Sequence, residues 1–176
     1  MIYPDWKLME WIREGGIEPF HESCMNPASV DLRWSGRWRM AADGGFSGVH
    51  ESDGLTIEPG RLFLLDTLEY VRMPGNVSGM LMLKSSIGRM GLEHLHAGFF
   101  DPGFHGTATL EVVNMAPWPV RLERGQRIVQ LVLMEMMGRP DKDYGQTGRY
   151  NGQNTPQAAI AITDAVETLK KVKRLE

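Results

Sequence analysis

The chain has 176 residues, of which 42% are hydrophobic and 23% are charged, and its formal net charge is −3 at pH 7. This length fits one domain, and this composition is that of a globular protein rather than a disordered or fibrous one. A negative net charge excludes a global basic field for nucleic acid, so a phosphate-bearing ligand must be held by a local cluster of cations.

The sequence contains no run of about 18 apolar residues, and its first residues, MIYPDWKLMEW, show neither the basic leader nor the apolar core of a secretion signal. We therefore expect a cytoplasmic protein without a membrane segment. The single cysteine, Cys24, can form neither an internal disulfide nor a cysteine-rich zinc site. We interpret it as a small residue of the apolar interior.

The first predicted element is a short helix that Asp5 caps and that runs to Glu14, because apolar residues recur there at helical spacing and Gly15-Gly16 can end it. The segment NPASVDLR, which begins at Asn26, is predicted to form a turn that leads into a strand. The segment Ala41–Gly60 is rich in glycine and is predicted to be a loop or a loose hairpin.

Beyond Gly60 the pattern is that of short strands joined by turns. The predicted strands are Arg61–Met73, Val77–Leu83, Thr107–Asn114, Trp118–Leu122 and Arg127–Met136. A turn at 123–126 joins the last two. The alternation of strands and helices that builds a doubly wound fold is absent, so we predict a mainly β barrel or sandwich.

The composition changes after Gly138, where the chain becomes polar and rich in Gly, Gln and Asn. We predict that this part is a mobile arm and that it is followed by a terminal helix, whose apolar positions recur at helical spacing from Ile162 to Val172. The predicted division is thus a barrel domain at 1–138 and an arm with a terminal helix at 139–176.

Lys84, Ser85, Ser86 and Arg89 lie close together in the run KSSIGR. Two hydroxyls and the backbone N–H groups at a helix start can surround a phosphate, and an arginine can bind two of its oxygens at once. The same run is also typical of an ordinary helix N-cap followed by a surface arginine. Both interpretations are open at this point.

The run AGFFDPGFHG, which begins at Ala97, contains a predicted tight turn at Pro102-Gly103. This turn would fix Asp101 and Phe104 so that a carboxylate meets a sugar hydroxyl while an aromatic face lies against the sugar. Glu111 follows on a predicted strand, where it could carry protons to and from a bound base. Taken singly, the two acids could equally be a turn residue and a solvated strand residue.

His94 and His96 would lie on the same side of a strand, and together with His105 they suggest a metal site. No carboxylate or cysteine stands at a standard spacing from them, and the sequence lacks the signature of zinc deaminases. We therefore predict no zinc. The tryptophans and methionines are interpreted as core and interface residues, and no basic and aromatic interleaving predicts nucleic-acid binding.

Five ordered segments resemble the motifs of the deoxycytidine triphosphate (dCTP) deaminase family, a branch of the trimeric dUTPase superfamily. The segments are NPASVDLR, LEYVRMPGNVSGMLMLKSSIGRMGL, HAGFFDPGFHGTATLEVVN, GQRIVQLVL and a last one with Tyr144, Arg149-Tyr150 and Gln153. The resemblance extends to about Gln157. It implies a dUTPase-like distorted β-barrel of the β-clip type, with short helices and a C-terminal arm that closes over a nucleotide.

The resemblance also implies an activity and an assembly. Members of this family are homotrimers with sites at subunit interfaces, and these hydrolases convert dCTP to dUTP and ammonia without zinc. By position, Glu111 matches the glutamate that shuttles protons, while Ser85 and the backbone carbonyl of Ala97 match the groups that hold the attacking water. Asp101 matches the carboxylate near the 3′-hydroxyl, and Phe104 matches an aromatic residue that excludes ribose.

Further matched residues would bind phosphate, sugar or base. They are Lys84, Ser86, Arg89, Gly98, Phe104, Gln130, Tyr144, Arg149 and Gln153. Arg89 could act at the site of the neighbouring subunit. Magnesium would arrive with the triphosphate, in keeping with the preference of this ion for phosphate oxygens and water over a protein cage.

The resemblance leaves a second reaction open. The AGFFDPGFHG corner is more like that of bifunctional members, which hydrolyse dUTP further to dUMP and pyrophosphate and so supply dUMP for dTMP synthesis. Asp101 would then also activate a water for attack on phosphorus. A monofunctional deaminase is the main alternative. A pure dUTPase, whose glycine-rich C-terminal motif is missing here, a non-catalytic nucleotide-binding trimer and a purely structural β-barrel are the others.

Several features depart from the family pattern. Arg149 stands where lysine is usual, which keeps the charge but changes its geometry. His96 stands where many members have threonine, which bears on base contacts and on feedback inhibition by dTTP. The segment Ala41–Gly60 is shorter than in many members, and the predicted helix after Gln157 is an extension.

Overall fold

The computed structural model describes residues 1–95 and 97–160, so His96 and the predicted terminal helix lie outside the described residues. The helices of the described chain are α1 (Asp5–Arg13), α2 (Ser85–Gly88) and α3 (Tyr144–Thr147), and a 3₁₀ turn spans Glu22–Cys24. The strands are β1 (Ile17–Glu18), β2 (Met25–Asn26), β3 (Ser29–Ala42), β4 (Gly45–Phe46), β5 (His50–Glu51), β6 (Gly54–Ile57), β7 (Leu62–Arg72), β8 (Val77–Leu83), β9 (Leu92–His94), β10 (Phe99–Phe100), β11 (His105–Asn114), β12 (Val120–Glu123) and β13 (Arg127–Glu135).

Most strands form one antiparallel sheet with the order β10-β8-β13-β3-β7-β11-β9, and β12 pairs with β6 in a second sheet. The large sheet curls into a half-barrel around β3, which pairs with β13 near its start and with β7 over its second half. The predicted mainly β class is confirmed. At one end of the sheet the N–H of Leu81 on β8 donates to the carbonyl of Gly98 at 2.7 Å, which extends the pairing of β8 with β10 to the residue before β10.

The predicted strands after Gly60 are confirmed with small shifts at their ends. Strand β12 begins at Val120 instead of Trp118, because the prolines on both sides of that tryptophan lack the N–H groups that a ladder needs. The segment 41–60 is only partly the loop or loose hairpin that its glycines predict. It contains the hairpin of β3 with β4, and it also contributes β5 and β6.

The N-terminal helix has a different cap from the one predicted. Pro4 occupies the N-cap position, and its carbonyl accepts hydrogen bonds from the N–H groups of Lys7 and Leu8 at 3.0 and 2.9 Å. Asp5 is therefore the first helical residue, and its N–H donates to the carbonyl of Pro27 at 3.0 Å. The predicted end is confirmed, since Glu14 is the C-cap residue.

Strand β11 carries one apolar face into the core and a half-polar face away from it. Leu110 and Val112 are buried, whereas Thr109 and Glu111 are only partly buried, as the period of two predicts. The alternation breaks at Thr107, which is buried at a register irregularity with β7, where its hydroxyl donates to Asp66 at 3.3 Å. Glu111 therefore leaves the sheet on the face opposite the core residues.

Two carboxylates on β7 are buried inside ionic networks. Asp66 accepts from the Arg37 guanidinium at 2.5 Å and from the hydroxyl of Ser35, and Glu69 pairs with Arg33 at 2.5 Å. Burial raises the pKa of Asp66 and of Glu69 above their ordinary values, and the bonds to these partners oppose that rise. These pairs tie β3 to β7 behind the candidate site.

Candidate functional site

One cavity of about 390 Å³ lies between strand β11, the corner at 97–104 and the segment 144–159. Its lining includes six of the residues selected from the sequence, namely Ala97, Asp101, Phe104, Glu111, Tyr144 and Gln153. The corner, the strand and the arm are far apart in the chain. The fold therefore brings together one backbone segment, two acids, two aromatic rings and an amide that the sequence analysis assigned to a single site.

Glu111 stands on β11 with 29% of its side chain exposed and lines the cavity. Its Oε2 atom is buried and has no hydrogen-bond partner in the described part of the chain. The nearest cation-forming group is the ring of His94, whose Nδ1 lies 3.7 Å from that oxygen. A carboxyl group that is half inside the protein and half open to a cavity can exchange protons with a ligand there.

The corner after Ala97 depends on glycine where two backbones meet. A Cβ atom on Gly98 would lie 2.8 Å from the carbonyl oxygen of Leu81, so only glycine fits beside β8. Asp101 is exposed and begins the turn that the sequence predicts, in which the N–H of Phe104 donates to its carbonyl at 3.2 Å and Gly103 has a φ of 83°. This turn is confirmed, and it fixes an acid at the cavity mouth.

Aromatic rings form the cavity wall beyond this turn. Phe104 is buried and meets the ring of Phe100 edge-on, with centroids 4.8 Å apart. Tyr144 from α3 lies on its other side at 5.9 Å, and the Tyr144 N–H donates to the carbonyl of Pro102 at 2.8 Å. The start of the arm is thus fastened to the corner by one hydrogen bond and by ring contacts.

The rest of the described arm is clamped along β11. The Thr107 N–H donates to the carbonyl of Gln153 at 2.9 Å, and the Gln153 amide nitrogen donates back to the Thr107 carbonyl at 2.7 Å. Further along, the Gln157 N–H donates to the Thr109 hydroxyl at 3.0 Å. A Cβ on Gly106 would lie 2.8 Å from the Gln153 carbonyl oxygen, so the close approach of the arm requires glycine there. The arm covers the cavity of its own chain.

Gln153 presents an unused acceptor at this cavity. Its amide nitrogen is committed to the Thr107 carbonyl, whereas its Oε1 atom is buried and has no hydrogen-bond partner among the described residues. Buried acceptors are normally satisfied, so an orphan oxygen on a residue that lines a cavity points to a ligand with an N–H or O–H group. An amino-pyrimidine carries such groups.

The KSSIGR cluster lies apart from the cavity lining. Lys84 pairs with the buried Asp31 at 2.6 Å, while Ser85, Ser86 and Arg89 are exposed on and beside α2. The structure confirms the predicted helix start, and the phosphate role of these residues stays a prediction. Among the described residues that line the 390 Å³ cavity, none is lysine or arginine.

The remaining selected residues lie on other surfaces. Gln130 is on β13 between Asp31 and Met82, and Arg149 borders a separate hollow of about 280 Å³ on the arm. Gly98 borders a second cavity of about 400 Å³ next to β8. Their roles in substrate binding stay predictions.

Sequence reasoning missed several residues of the cavity. They are Phe46, Leu64, Thr109, Gln157 and Ala159, whereas Tyr150, which also lines the cavity, belongs to the predicted arm motif. A signal existed for Thr109, which alternates with Glu111 on the same face of β11. Phe46 carried no signal, because it reaches the cavity from the tip of the β3–β4 hairpin, whose direction only the fold determines.

The described residues contain no group of three or more His, Cys, Asp or Glu side chains that could hold a metal ion. The histidine metal site that His94 and His105 suggested is therefore not formed by the described residues, and His96 lies outside them. Over the same described range, no helix has both the length and the apolar character needed to cross a membrane.

Comparisons with known proteins give a consistent result. A family model described as dCTP deaminase-like matches residues 2–136. A protein of Mycobacterium ulcerans named dCTP deaminase, dUMP-forming, is 34% identical over 177 residues, which cover 89% of this chain and 93% of that protein. A protein of Parafrankia sp. with the same name is 36% identical over 185 residues, which cover 93% of this chain and 92% of that protein.

Among solved structures, the 2′-deoxycytidine 5′-triphosphate deaminase from Agrobacterium tumefaciens aligns with a TM-score of 0.65 at 18% identity. The alignment covers 75% of this chain and 47% of the other, so this chain spans less than half the length of that one. The likeness confirms the predicted fold. Because the family model covers most of the chain and the relatives match nearly all of it, this protein belongs to the dCTP deaminase-like family.

Proposed function

We propose that this protein is a bifunctional enzyme that deaminates dCTP and then hydrolyses the resulting dUTP to dUMP and pyrophosphate. The names of the matched relatives support both reactions. The observation that carries the proposal is the cavity, which combines Glu111 beneath, Asp101 at the mouth and an arm that closes over both. The product dUMP would enter dTMP synthesis in the cytoplasm.

Glu111 performs the proton transfers of the first reaction. Its carboxylate takes a proton from water as the water oxygen attacks C4 of cytosine, and it passes that proton to N3. It then carries the second proton of the added hydroxyl to the amino group, which leaves as ammonia while C4 becomes a carbonyl. The balance is dCTP plus water giving dUTP plus ammonia. The backbone at Ala97 lines the same cavity and would hold the water. The hydroxyl of Ser85, which is exposed outside that lining, would join it from a neighbouring copy.

Asp101 is the base for the second reaction. It takes a proton from water as that water attacks phosphorus, and pyrophosphate leaves with the electrons of the broken P–O bond. The balance is dUTP plus water giving dUMP plus pyrophosphate. Two carboxylates on different elements can thus serve two successive reactions in one cavity.

Magnesium would be bound through the triphosphate. The residues at the cavity fit this arrangement. Asp101 is exposed there, and the described residues include no group of three side chains that could hold the ion by themselves. When bound, the ion would neutralise phosphate charge and align the phosphorus with the attacking water.

In a homotrimer, a neighbouring chain would supply the lysine and arginine side chains that the cavity lining of each single chain lacks. The cluster of Arg89, Ser85 and Ser86 is exposed, and the cavity lining described above has no lysine or arginine. Strands β8 and β10 at the sheet edge expose large apolar side chains, including Met80, Met82 and Phe99 at 42%, 50% and 58%. Packing of a neighbouring copy along this edge would cover those side chains and carry its α2 cluster towards the triphosphate.

The test is product analysis of dCTP incubated with protein and magnesium. We expect ammonia, dUMP and pyrophosphate, separated by ion-exchange chromatography. Glu111→Gln should lower ammonia release by at least about 100-fold, the usual scale for loss of a general acid–base group, while the nucleotide still raises the melting temperature. Unchanged ammonia release in this variant would refute the mechanism.

The Asp101→Asn variant separates the two reactions. We expect it to release ammonia and to accumulate dUTP, because only the phosphorus attack loses its base. Accumulation of dUTP by the unmodified protein would identify a monofunctional deaminase instead. Binding of deoxynucleotides without any turnover would identify a non-catalytic trimer, and the absence of both would identify a structural module.

A further inference from the structure

We propose that His94 is a positioning residue for Glu111, and that its Nδ1–H holds one carboxylate oxygen so that the other faces the bound base. This inference rests on the proposed deamination. It starts from two buried polar atoms that have no hydrogen-bond partner in the described part of the chain, His94 Nε2 and Glu111 Oε2. The two belong to neighbouring side chains: Glu111 lines the 390 Å³ cavity, and His94 lines the second cavity of about 400 Å³ next to β8.

The backbone fixes this neighbourhood. His94 is the last residue of β9 and lies opposite Val112 on β11, one residue beyond Glu111. Its side chain is 2% exposed, and its Nδ1 atom lies 3.5 Å from the carbonyl oxygen of Glu111 and 3.7 Å from its Oε2. The carbonyl already accepts the N–H of Leu95 at 3.1 Å. The carboxylate oxygen is therefore the acceptor near Nδ1 that has no other donor.

The surroundings of the ring select its tautomer. Both acceptors lie on the Nδ1 side, whereas the Nε2 side faces the backbone of Gly98, where a Cβ atom would lie 3.3 Å away. A proton on Nε2 would be a buried donor without an acceptor, and a proton on Nδ1 has two acceptors within reach. A neutral ring with its proton on Nδ1 therefore leaves fewer groups unsatisfied.

A contraction of a few tenths of an ångström converts the 3.7 Å contact into a hydrogen bond. That bond would fix the Glu111 carboxyl in one rotamer and reserve Oε1 for water and for the cytosine ring. The neighbouring carboxylate in the chain is that of Glu93, whose Oε1 accepts the backbone N–H of His94 at 3.1 Å and which makes further contacts. His94 would thus orient the carboxyl group of Glu111 next to the base, whereas other residues would hold the triphosphate and the sugar.

Two polar variants of similar size test which ring nitrogen matters. In His94→Asn the amide nitrogen can take the place of Nδ1, whereas in His94→Gln it reaches the place of Nε2. We expect His94→Asn to keep kcat for ammonia release within about fivefold of the unmodified protein. We expect His94→Gln to lower kcat by roughly 10- to 150-fold, the scale for loss of a hydrogen bond to a charged group, with KM for dCTP changed by less than about threefold.

Equal kcat values in the two variants, or a rise of KM that accounts for the loss in kcat/KM, would overturn the proposal. Melting temperatures identify a variant that is merely unfolded. A second measurement uses the unmodified protein and does not depend on the folding of a variant. The ¹⁵N spectrum of histidine-labelled protein should show the buried ring of His94 protonated on Nδ1. Protonation on Nε2 would overturn the proposal. If the unmodified protein released no ammonia, the proposed function would fail instead, independently of the tautomer.

Discussion

The docking of the arm on β11 can be weakened by removing a single hydroxyl group, that of Thr109. Thr109 accepts the N–H of Gln157 at 3.0 Å, and Thr109→Val removes that acceptor while keeping the shape of the side chain. A neutral hydrogen bond contributes about 0.5–1.5 kcal/mol net, so the ratio of undocked to docked arm should rise about 2- to 13-fold. The two bonds between Gln153 and Thr107 remain, so the arm should still close.

Limited proteolysis measures this ratio. Trypsin can cut the arm after Arg149, and where the arm opens and closes faster than it is cut, the rate follows the undocked population. We expect Thr109→Val to be cut about 2- to 13-fold faster and to show a raised KM for dCTP. Thr109→Ser keeps the hydroxyl and is the matched control, with a rate near that of the unmodified protein.

Two results would refute this reasoning. Cleavage of Thr109→Val at the unmodified rate would show that the hydroxyl does not hold the arm. If cleavage were accelerated equally in Thr109→Val and Thr109→Ser, the lost hydroxyl would not be the cause, because Thr109→Ser keeps it. The melting temperature of both variants should stay within a few degrees of the unmodified value, because only a local contact is lost.

Two further predictions concern buried charges. Because burial raises the pKa of Asp66, the folded chain holds that proton more tightly than the unfolded chain, and the free energy of unfolding should fall as pH rises from about 4 towards the raised pKa. Urea unfolding at fixed protein concentration should show a shallower fall in Asp66→Asn, and an unchanged slope would contradict this. Lys84→Met should lower the free energy of unfolding by about 1–3 kcal/mol, because the buried Asp31 loses its closest cation while Asn26 still donates to it. A raised KM for dCTP without any loss of stability would assign Lys84 to phosphate binding instead.

Strand β11, which carries Glu111, illustrates what periodicity can predict. The period of two assigned Glu111 to a face apart from Leu110 and Val112, and the structure confirms this alternation. Thr107 is buried although the period of two places it on the face of Thr109 and Glu111. Its hydroxyl donates to the buried Asp66, and the arm at Gln153 lies against its backbone. Both contacts come from segments distant in sequence, so the local pattern does not predict this burial.

The N-cap of α1 and the position of Phe46 show what local sequence patterns cannot predict. Asp5 is a good N-cap residue by type, but the helix begins one residue earlier, with Pro4 at the cap position and the Asp5 N–H bonded to the carbonyl of the distant Pro27. Phe46 lines the cavity only because the β3–β4 hairpin points that way. Both outcomes depend on contacts between segments distant in sequence, which local propensity does not contain.

The division of charge within the candidate site has a structural consequence. The carboxylates Glu111 and Asp101 line one cavity, whereas the exposed residues of α2, which follows β8 in the chain, are not part of that lining. A triphosphate cannot be neutralised by acids and aromatic rings, so a site built from one chain would repel the substrate that its own acids are placed to transform. In the proposed trimer, sharing α2 between copies would resolve this conflict, because each chain would provide proton-transfer groups to its own site and cations to another. On this argument, dilution that separates the copies should abolish both reactions together, before the individual chain unfolds.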